Sequence, residues 1–241
     1  MPKQSKFWKY LFISLGIIIG LIFIIFLGFF IYYSIQFKYG NNNDIQKITK
    51  KYEPNFSTAI DKNAPQNISD YSKLLQKYNP TIGAKDAKIT IMAFIDFECP
   101  YCQASYPIFA HVLEKYKPVV QVVFKNLPLT EIHPNATLAA IAGTCANEQN
   151  KFWEYYDQIF TAKKLDTDSL YNYGTNIGLD INKFDLCVKS QKYVDNIERD
   201  LTDAVSIGLR GTPTYIINGE IVEGNITADE WDKLIIKNLN K

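Results

Sequence analysis

The fold is decided by one stretch of the chain, Lys88-Ile89-Thr90-Ile91-Met92-Ala93-Phe94-Ile95-Asp96-Phe97-Glu98-Cys99-Pro100-Tyr101-Cys102. Residues 88–97 are almost continuously apolar, which is typical of a strand that is buried on both faces. We predict that a helix follows from about Pro100 to Tyr116, so that the two cysteines lie where the strand gives way to the helix. Because the N–H groups at a helix start are unpaired and carry partial positive charge, they stabilise a thiolate, the reactive form of cysteine.

The residues that follow predict an α/β domain. The β-branched run Val119–Phe124 is a second strand, and strand, helix and strand at this spacing form a βαβ unit with a parallel pair of strands. From roughly residue 135 to 208 we expect a block of about four helices. Apolar residues recur at helical spacing in three segments of this block, 137–147, 152–162 and 194–207. Turns are expected within it at Gly174, Gly178 and Asp180.

The last part of the chain predicts a hairpin followed by a helix. Short apolar runs at 214–217 and 220–222 flank Asn218-Gly219, which is the strongest local signal for a hairpin turn. Thr227 and Glu230 have the spacing of a capping box, so a final helix is expected after them. The predicted order is therefore β-α-β, a helical block, and β-β-α.

The N-terminal residues predict a membrane anchor. No charged residue occurs between Tyr10 and Phe37, a run longer than the about 20 apolar residues that span a bilayer. A cleavable signal peptide ends at small residues, which Lys38-Tyr39-Gly40-Asn41 does not supply, so we expect an uncleaved single-pass helix. Lysines flank this helix on both sides and leave its orientation undecided. The four cysteines favour an oxidising compartment for the folded part.

These signals divide the chain of 241 residues into four parts. We expect a short cytoplasmic N-terminus at 1–9, a transmembrane anchor at 10–37, a juxtamembrane linker at 38–79 and a folded domain at 80–241. The helical insertion of the folded domain covers about 134–208. The formal net charge is +1 and no basic block occurs, so nothing indicates a nucleic-acid partner.

Four stretches form a combination that is more specific than a Cys-x-x-Cys pair alone. They are Gly83-Ala84-Lys85-Asp86-Ala87-Lys88-Ile89-Thr90-Ile91, Asp96-Phe97-Glu98-Cys99-Pro100-Tyr101-Cys102, Lys151-Phe152-Trp153 and Gly211-Thr212-Pro213-Thr214. Together with the order of elements, they resemble the DsbA-like family of extracytoplasmic thiol-disulfide oxidoreductases over roughly residues 80–241. The resemblance implies a thioredoxin fold with a helical insertion between its βαβ and ββα halves. The single N-terminal transmembrane helix is similar to that of the membrane-anchored members.

The position of the dithiol gives its two sulfurs different roles. We expect Cys99 to lie exposed at the helix start as the attacked sulfur. Cys102 then lies one turn into the helix, mostly covered, as the resolving thiol. Asp96 and Glu98 oppose a thiolate at Cys99 by charge repulsion, whereas the helix start favours it, and the sequence does not decide between these two effects.

The resemblance adds expectations for the surroundings of the dithiol. It implies that Thr212-Pro213 is a cis peptide bond that packs against the dithiol and leaves the preceding backbone free to pair with an extended substrate peptide. A trans proline at the start of an edge strand is the alternative. It also implies that Pro100 and Tyr101 tune the reduction potential, where the strongest oxidants of the family have Pro-His. Ala93 stands where several relatives have a buried carboxylate, so the proton acceptor for Cys102 stays open.

Cys145 and Cys187 lie in predicted helices of the insertion. Once Cys99 and Cys102 are paired by their spacing, a bond between the remaining two closes a loop of about 43 residues and contributes roughly 4 kcal/mol. Some DsbA-like proteins carry a comparable second disulfide. The alternatives are two free buried cysteines, or a zinc site from all four, for which Cys145 and Cys187 lie far apart in sequence. We expect the disulfide and no metal site.

The two histidines do not indicate hydrolase chemistry. His111 fits a surface or half-buried place on the first helix of the domain, and His133, just before Pro134, fits a structural role at the start of a helix. Because no nucleophile motif lies beside either histidine, a Cys-His hydrolase is not indicated.

These observations predict an extracytoplasmic enzyme that forms disulfides in reduced or unfolded secreted proteins by exchange through Cys99 and Cys102. The resemblance implies that a quinone-linked membrane partner of the DsbB or VKOR type reoxidises the dithiol, and that no bound cofactor is required. Two alternatives stay open. One is a reductase or isomerase that uses the same site, and the other is a peptide-binding holdase in which Cys99 has no role.

Overall fold

The computed structural model describes residues 3–39 and 67–240 of the chain. The chain separates into two compact units, Met1–Asn42 and Asn43–Lys241, which we treat one at a time. The first unit contains helix α1 (Lys3–Tyr39). Among the described residues, only its segment Phe12–Tyr32 is long and apolar enough to cross a membrane. The apolar side chains described in this segment are exposed, as those of a helix in contact with lipid must be.

The second unit is built on a mixed sheet. Its strands are β1 (Thr81–Gly83), β2 (Ile89–Ile95), β3 (Val120–Asn126), β4 (Thr214–Ile217) and β5 (Glu220–Glu223). Their order in the sheet is β1-β3-β2-β4-β5, with β2 and β3 parallel and the other neighbouring pairs antiparallel. The central strands β2 and β3 are buried on both faces, as their continuous apolar sequences predict. The expected thioredoxin-like α/β fold is therefore confirmed.

Helices cover the sheet and form the insertion. They are α2 (Pro100–Tyr116), α3 (Ala136–Glu148), α4 (Phe152–Ala162), α5 (Thr167–Asn176), α6 (Ile181–Lys189), α7 (Val194–Ser206) and α8 (Ala228–Leu239), and a short 3-10 helix at Tyr71–Leu74 precedes β1. The insertion between β3 and β4 holds the five helices α3 to α7, where we expected about four. The turn expected at Gly174 is wrong, because α5 continues through it. A Cβ there would lie 3.2 Å from the Leu179 side chain, so close packing explains this glycine.

One face of the sheet packs against α2 and α8. Ala93 lies directly opposite both Phe124 and Tyr215 on the neighbouring strands, so these three side chains share a face. The Tyr215 ring lies 5.1 Å from Phe109 of α2 and 4.9 Å from Trp231 of α8, measured between ring centroids. This aromatic contact fixes α2, the helix that begins at the dithiol, against the centre of the sheet.

The other face carries a buried charge cluster beneath α7. Lys125 of β3 lies opposite Phe94, and its Nζ lies 3.1 Å from Asp200 and 2.6 Å from Asp203, both of α7. The Lys125 and Asp200 side chains have no exposed surface. Asn79 donates a further hydrogen bond of 3.0 Å to Asp200. Separating the partners of a buried ion pair leaves an uncompensated charge, which is strongly unfavourable. This cluster therefore fixes the position of α7 on the sheet.

Residues 67–79 pack on the folded unit, although we expected them to belong to a linker at 38–79. The Ile68 N–H donates to the Gly219 carbonyl at 2.8 Å, which ties this segment to the turn between β4 and β5. The rest of the expected linker, residues 40–66, lies outside the described residues.

The hairpin and the last helix form as predicted. Asn218 and Gly219 both have positive φ angles, 47° and 92°, as the two central residues of a tight hairpin turn require. The Asn218 Oδ1 accepts the Thr90 N–H at 2.8 Å, so the turn is also tied to β2. The capping box of Thr227 and Glu230 is present at the start of α8.

Cys145 of α3 and Cys187 of α6 form a disulfide within the insertion. Both residues are buried, and their Cα atoms are 5.8 Å apart. Because these two sulfurs are bonded to each other, they cannot join Cys99 and Cys102 in a four-cysteine zinc site. The bond instead cross-links two helices of the insertion.

Replacing both Cys145 and Cys187 with alanine should lower the free energy of unfolding by about 4 kcal/mol. The bond joins residues with a sequence separation of 42, so its loss frees a long loop in the unfolded chain. Urea unfolding followed by circular dichroism measures the difference. Wild-type protein unfolded under strongly reducing conditions is the control and should match the variant. A loss below about 1 kcal/mol would contradict the cross-linking role.

Candidate active site

The dithiol lies at the junction of β2 and α2. The Cys99 N–H donates to the Asp96 carbonyl at 3.3 Å, which turns the chain at the end of the strand. Cys99 is the N-cap of α2 with extended backbone, and Pro100 follows as the first helical residue, where its missing N–H is not needed. The Gln103 N–H donates to the Cys99 carbonyl at 3.0 Å and closes the first helical turn. The helix therefore begins at Pro100, directly after Cys99, as the sequence predicted.

Both cysteines are free thiols and both are buried. The exposed fraction is 3% for Cys99 and 1% for Cys102, so our expectation of an exposed Cys99 is wrong. The reason is a loop from the other half of the domain: the Cys99 Sγ donates to the Thr212 carbonyl at 3.3 Å. The adjacent Tyr101 side chain is 63% exposed.

The loop that covers Cys99 is held from both sides. The Thr212-Pro213 peptide bond is cis. The Pro213 carbonyl accepts the Gly224 N–H at 2.8 Å, which anchors the loop to the end of β5. The Arg210 Nε donates to Glu223 at 3.3 Å, and a second nitrogen of the same guanidinium pairs with the same carboxylate. The hydrogen bond to Gly224 and the ion pair between Arg210 and Glu223 thus fix the position of this loop.

The Cys99 thiol is more acidic than an ordinary cysteine. A hydrogen bond from the Cys102 thiol is the largest effect that lowers the pKa of Cys99, to about 6. Burial opposes this effect. The N–H groups of Tyr101 and Cys102 also lower the pKa, because they donate to the thiolate. The start of α2 thus favours a thiolate at Cys99.

Burial raises the pKa of Cys102, and the neighbouring Cys99 adds to this effect. The site therefore assigns the thiolate to Cys99 and keeps Cys102 protonated. Behind Cys102, the Ser105 hydroxyl donates to the Cys102 carbonyl at 3.1 Å and lies 3.1 Å from the Tyr215 hydroxyl. Burial raises the pKa of Tyr215 as well, so this phenol is no base for Cys102. Tyr215 packs over Ala93, the position at which relatives have a carboxylate.

Asp96 and Glu98 are paired with the segment between β3 and α3. Asp96 is buried, and it accepts the Leu129 N–H at 2.8 Å and the His133 imidazole at 2.7 Å. Glu98 accepts the Asn135 N–H at 2.6 Å. Neither carboxylate is therefore a free charge beside the dithiol. The sequence indicated both acids but not their partners, since His133 is 37 residues from Asp96.

The structure brings together six of the residues that the sequence indicated, which are Cys99, Pro100, Tyr101, Cys102, Thr212 and Pro213. It places Cys145 and Cys187 in a separate disulfide. The residue that the sequence did not connect to the site is His133. His133 lies in the segment just after β3, a strand that is parallel to β2. Because the segments that follow parallel strands meet at the same edge of a sheet, this position could have indicated that His133 lies near the end of β2.

A βαβ half, a ββα half and a Cys-x-x-Cys pair at the start of the first helix define a protein of the thioredoxin superfamily. The sequence matches the model of the family Thioredoxin_4, described as thioredoxin, over residues 75–237. The chain belongs to this family.

Solved structures share this fold. The catalytic domain of ScsC from Proteus mirabilis is 25% identical, with a TM-score of 0.63 over 72% of this chain and 96% of that one. The thiol-disulfide exchange protein alpha-DsbA2 from Wolbachia pipientis shares the fold, with 18% identity and a TM-score of 0.62 over 80% of this chain and 96% of that one.

A sequence relative is a longer protein. The Na(+)/H(+) antiporter NhaA 3 from Salinispora tropica is 34% identical over 149 residues, which are 61% of this chain. The chain spans 23% of the length of that antiporter. The similarity therefore concerns one part of it.

The pH dependence of the reduction potential of the dithiol should change near pH 6. Below the pKa of Cys99, about 6, reduction of the disulfide takes up two electrons and two protons. Above it, Cys99 stays a thiolate and only one proton is taken up, by Cys102. The potential should therefore fall by about 59 mV per pH unit below pH 6 and by about 30 mV per pH unit above it.

Equilibration with a glutathione buffer at each pH from 5 to 9 measures this slope. A slope of about 59 mV that persists to pH 8 would show that Cys99 has the ordinary acidity of a cysteine.

Proposed function

We propose that this protein oxidises pairs of thiols in secreted proteins, on the extracytoplasmic side of a membrane. The observation that carries the proposal is the lowered pKa of Cys99 beside a buried, protonated Cys102. Stabilising the thiolate stabilises the reduced dithiol, and a stable reduced form makes the corresponding disulfide a stronger oxidant. The same low pKa makes Cys99 the better leaving group when the product is released.

The first step forms a mixed disulfide. A substrate thiolate attacks the Cys99 sulfur of the oxidised Cys99–Cys102 pair, a bond forms between substrate and Cys99, and the bond to Cys102 breaks. Cys102 leaves as a thiolate and takes up a proton, which its burial favours. Attack at Cys99 is supported by position, because Cys102 lies deeper and behind the first turn of α2.

The second step releases the product. A second substrate thiolate attacks the substrate sulfur of the mixed disulfide, which forms the substrate disulfide and frees Cys99 as a thiolate. The low pKa of Cys99 makes it a good leaving group at neutral pH. Two electrons have then passed from the substrate to the dithiol. A quinone-linked membrane oxidant of the DsbB or VKOR type would accept them and restore the disulfide.

The loop at Thr212 and Pro213 is proposed as the place where the substrate peptide binds. It is the segment that contacts the reactive sulfur, and its position is fixed by β5 rather than by the dithiol itself. A peptide whose cysteine reaches Cys99 must lie along this loop. The exposed ring of Tyr101, two residues after Cys99, offers an apolar contact to such a peptide.

The location follows from the same observations. The apolar helix Phe12–Tyr32 supports a single-pass anchor, and the disulfide between Cys145 and Cys187 supports an oxidising compartment for the folded unit. Disulfides of this kind are rare in a reducing cytosol. We therefore propose that the folded unit lies outside the cytoplasm.

Trapping of a covalent intermediate tests the exchange reaction. The Cys102→Ala variant, with Cys99 first joined to glutathione by exchange with oxidised glutathione, should exchange the glutathione for a reduced secreted protein that carries a single cysteine. This mixed disulfide should accumulate, because neither Cys102 nor a second substrate thiol is present to resolve it. The matched Cys99→Ala variant should trap nothing under the same conditions. Equal trapping by the two variants, or none by Cys102→Ala, would contradict the assignment of Cys99 as the attacked sulfur and favour a holdase.

The direction of electron flow is tested by the reduction potential at pH 7. We expect a value well above the about −270 mV of thioredoxin, within the range of the oxidising members of the superfamily, about −180 to −120 mV. A value near −270 mV would leave the exchange chemistry intact but show that the protein acts as a reductase.

A further inference from the structure

A histidine, His133, contacts Asp96 just before the dithiol. The proposed chemistry assigns no role to this histidine. His133 lies in the loop between β3 and α3, and its Nδ1 is 2.7 Å from the Asp96 Oδ2. The His133 N–H also donates to the Leu129 carbonyl at 2.9 Å, so the ring is fixed through its own backbone. Only 13% of the His133 side chain is exposed.

The contact between His133 and Asp96 can affect Cys99 because Asp96 lies close to Cys99. It is 1% exposed and lies three residues before Cys99, and its own carbonyl accepts the Cys99 N–H. Its Oδ1 accepts the Glu98 N–H at 2.7 Å, and its Oδ2 accepts the Leu129 N–H as well as His133. An unpaired buried anion at this place would oppose a second negative charge on Cys99.

We propose that His133 is a positioning residue that carries a proton, cancels the charge of Asp96, and thereby allows Cys99 to become a thiolate near neutral pH. The inference rests on the proposed function, since it concerns the reactivity of the same dithiol. His133 does not have to touch the reacting sulfurs, because it acts through Asp96.

The charges around His133 support a protonated ring. The hydrogen bond to Asp96 is the largest effect that raises the pKa of His133, and the negative charges of Asp96, Cys99 and Glu98 raise it further, against the effect of burial. These three groups face the ring from the end of β2 and the start of α2, and Glu131 is the charged neighbour on its own segment. The thiolate and the imidazolium therefore coexist above about pH 6, until His133 loses its proton as the pH rises further.

The test compares the rate at which iodoacetamide alkylates Cys99 in the reduced full-length protein across pH 5 to 9. The His133→Gln variant keeps a hydrogen-bond donor for Asp96 but cannot carry the charge. We expect its alkylation at pH 5.5 to be about fivefold slower than in the wild type, since the Asp96 anion is then unbalanced. His111→Gln removes the other histidine, which is exposed on α2, and should leave the profile unchanged.

A charge effect is separated from a structural effect by the double variant. In Asp96→Asn/His133→Gln both charges are absent, so alkylation should return to within about twofold of the wild type. A purely structural role predicts that the double variant is at least as slow as His133→Gln. A second readout is the C2-proton resonance of His133: its titration should move to lower pH in Cys99→Ser, because the thiolate that favours the imidazolium is gone.

The outcomes also separate this inference from the proposed function. A wild-type alkylation profile in His133→Gln, with mixed disulfides still formed at Cys99, would overturn the role of His133 and leave the exchange chemistry in place. Failure of the wild type itself to form a mixed disulfide would overturn both. A slow double variant would assign Asp96 and His133 to folding of the loop alone and would also overturn the inference.

Discussion

The chemistry of this protein depends on an electrostatic difference between two sulfurs that are three residues apart. Cys99 is the N-cap of a helix, and hydrogen bonds from the Cys102 thiol and from N–H groups of the first turn lower its pKa to about 6. Cys102 is one turn further into the helix, where burial raises its pKa. One turn of helix therefore separates a stable thiolate from a stable thiol. Reversible disulfide exchange requires this asymmetry, because one sulfur must leave easily and the other must stay hidden.

The rest of the fold fixes the elements that surround the two sulfurs and so maintains this difference. Tyr215 fixes α2 on one face of the sheet through Phe109, and the buried pair of Lys125 and Asp200 fixes α7 on the other. The loop at Thr212 approaches Cys99 from strands β4 and β5, which belong to the second half of the domain. The insertion is cross-linked by its own disulfide, away from the exchanging pair in the chain. Each part uses long-range contacts to hold a short segment of backbone near one sulfur.

The sequence predicted those elements whose signals are local. The apolar run of β2, the cysteine pair at a helix start, the Asn218-Gly219 turn and the capping box at Thr227 each depend on neighbouring residues, and each forms as predicted. Strand β1 was not predicted, because its three residues are too few to show alternation. Gly174 indicated a turn by composition, whereas in the structure it permits close contact with Leu179 inside a helix.

The features of the candidate site that the sequence missed depend on contacts between distant parts of the chain. The burial of Cys99 comes from Thr212, which is 113 residues away, and no local pattern encodes it. The charges of Asp96 and Glu98 suggested repulsion, but their partners lie 37 residues further along the chain. The cysteines 145 and 187 could be assigned only by elimination and by resemblance. The structure was therefore needed to show which polar groups are paired, whereas their chemical type could be read from the sequence.

The most direct test of this account is the ionisation of Cys99 itself. Thiolate absorbance in the ultraviolet, recorded for the reduced wild-type protein between pH 3 and pH 10, should show one thiolate that forms with a midpoint near pH 6. That signal should be absent below pH 8 in Cys99→Ala, because Cys102 stays protonated there. A wild-type midpoint near 8.5, the ordinary pKa of a cysteine, would contradict the account.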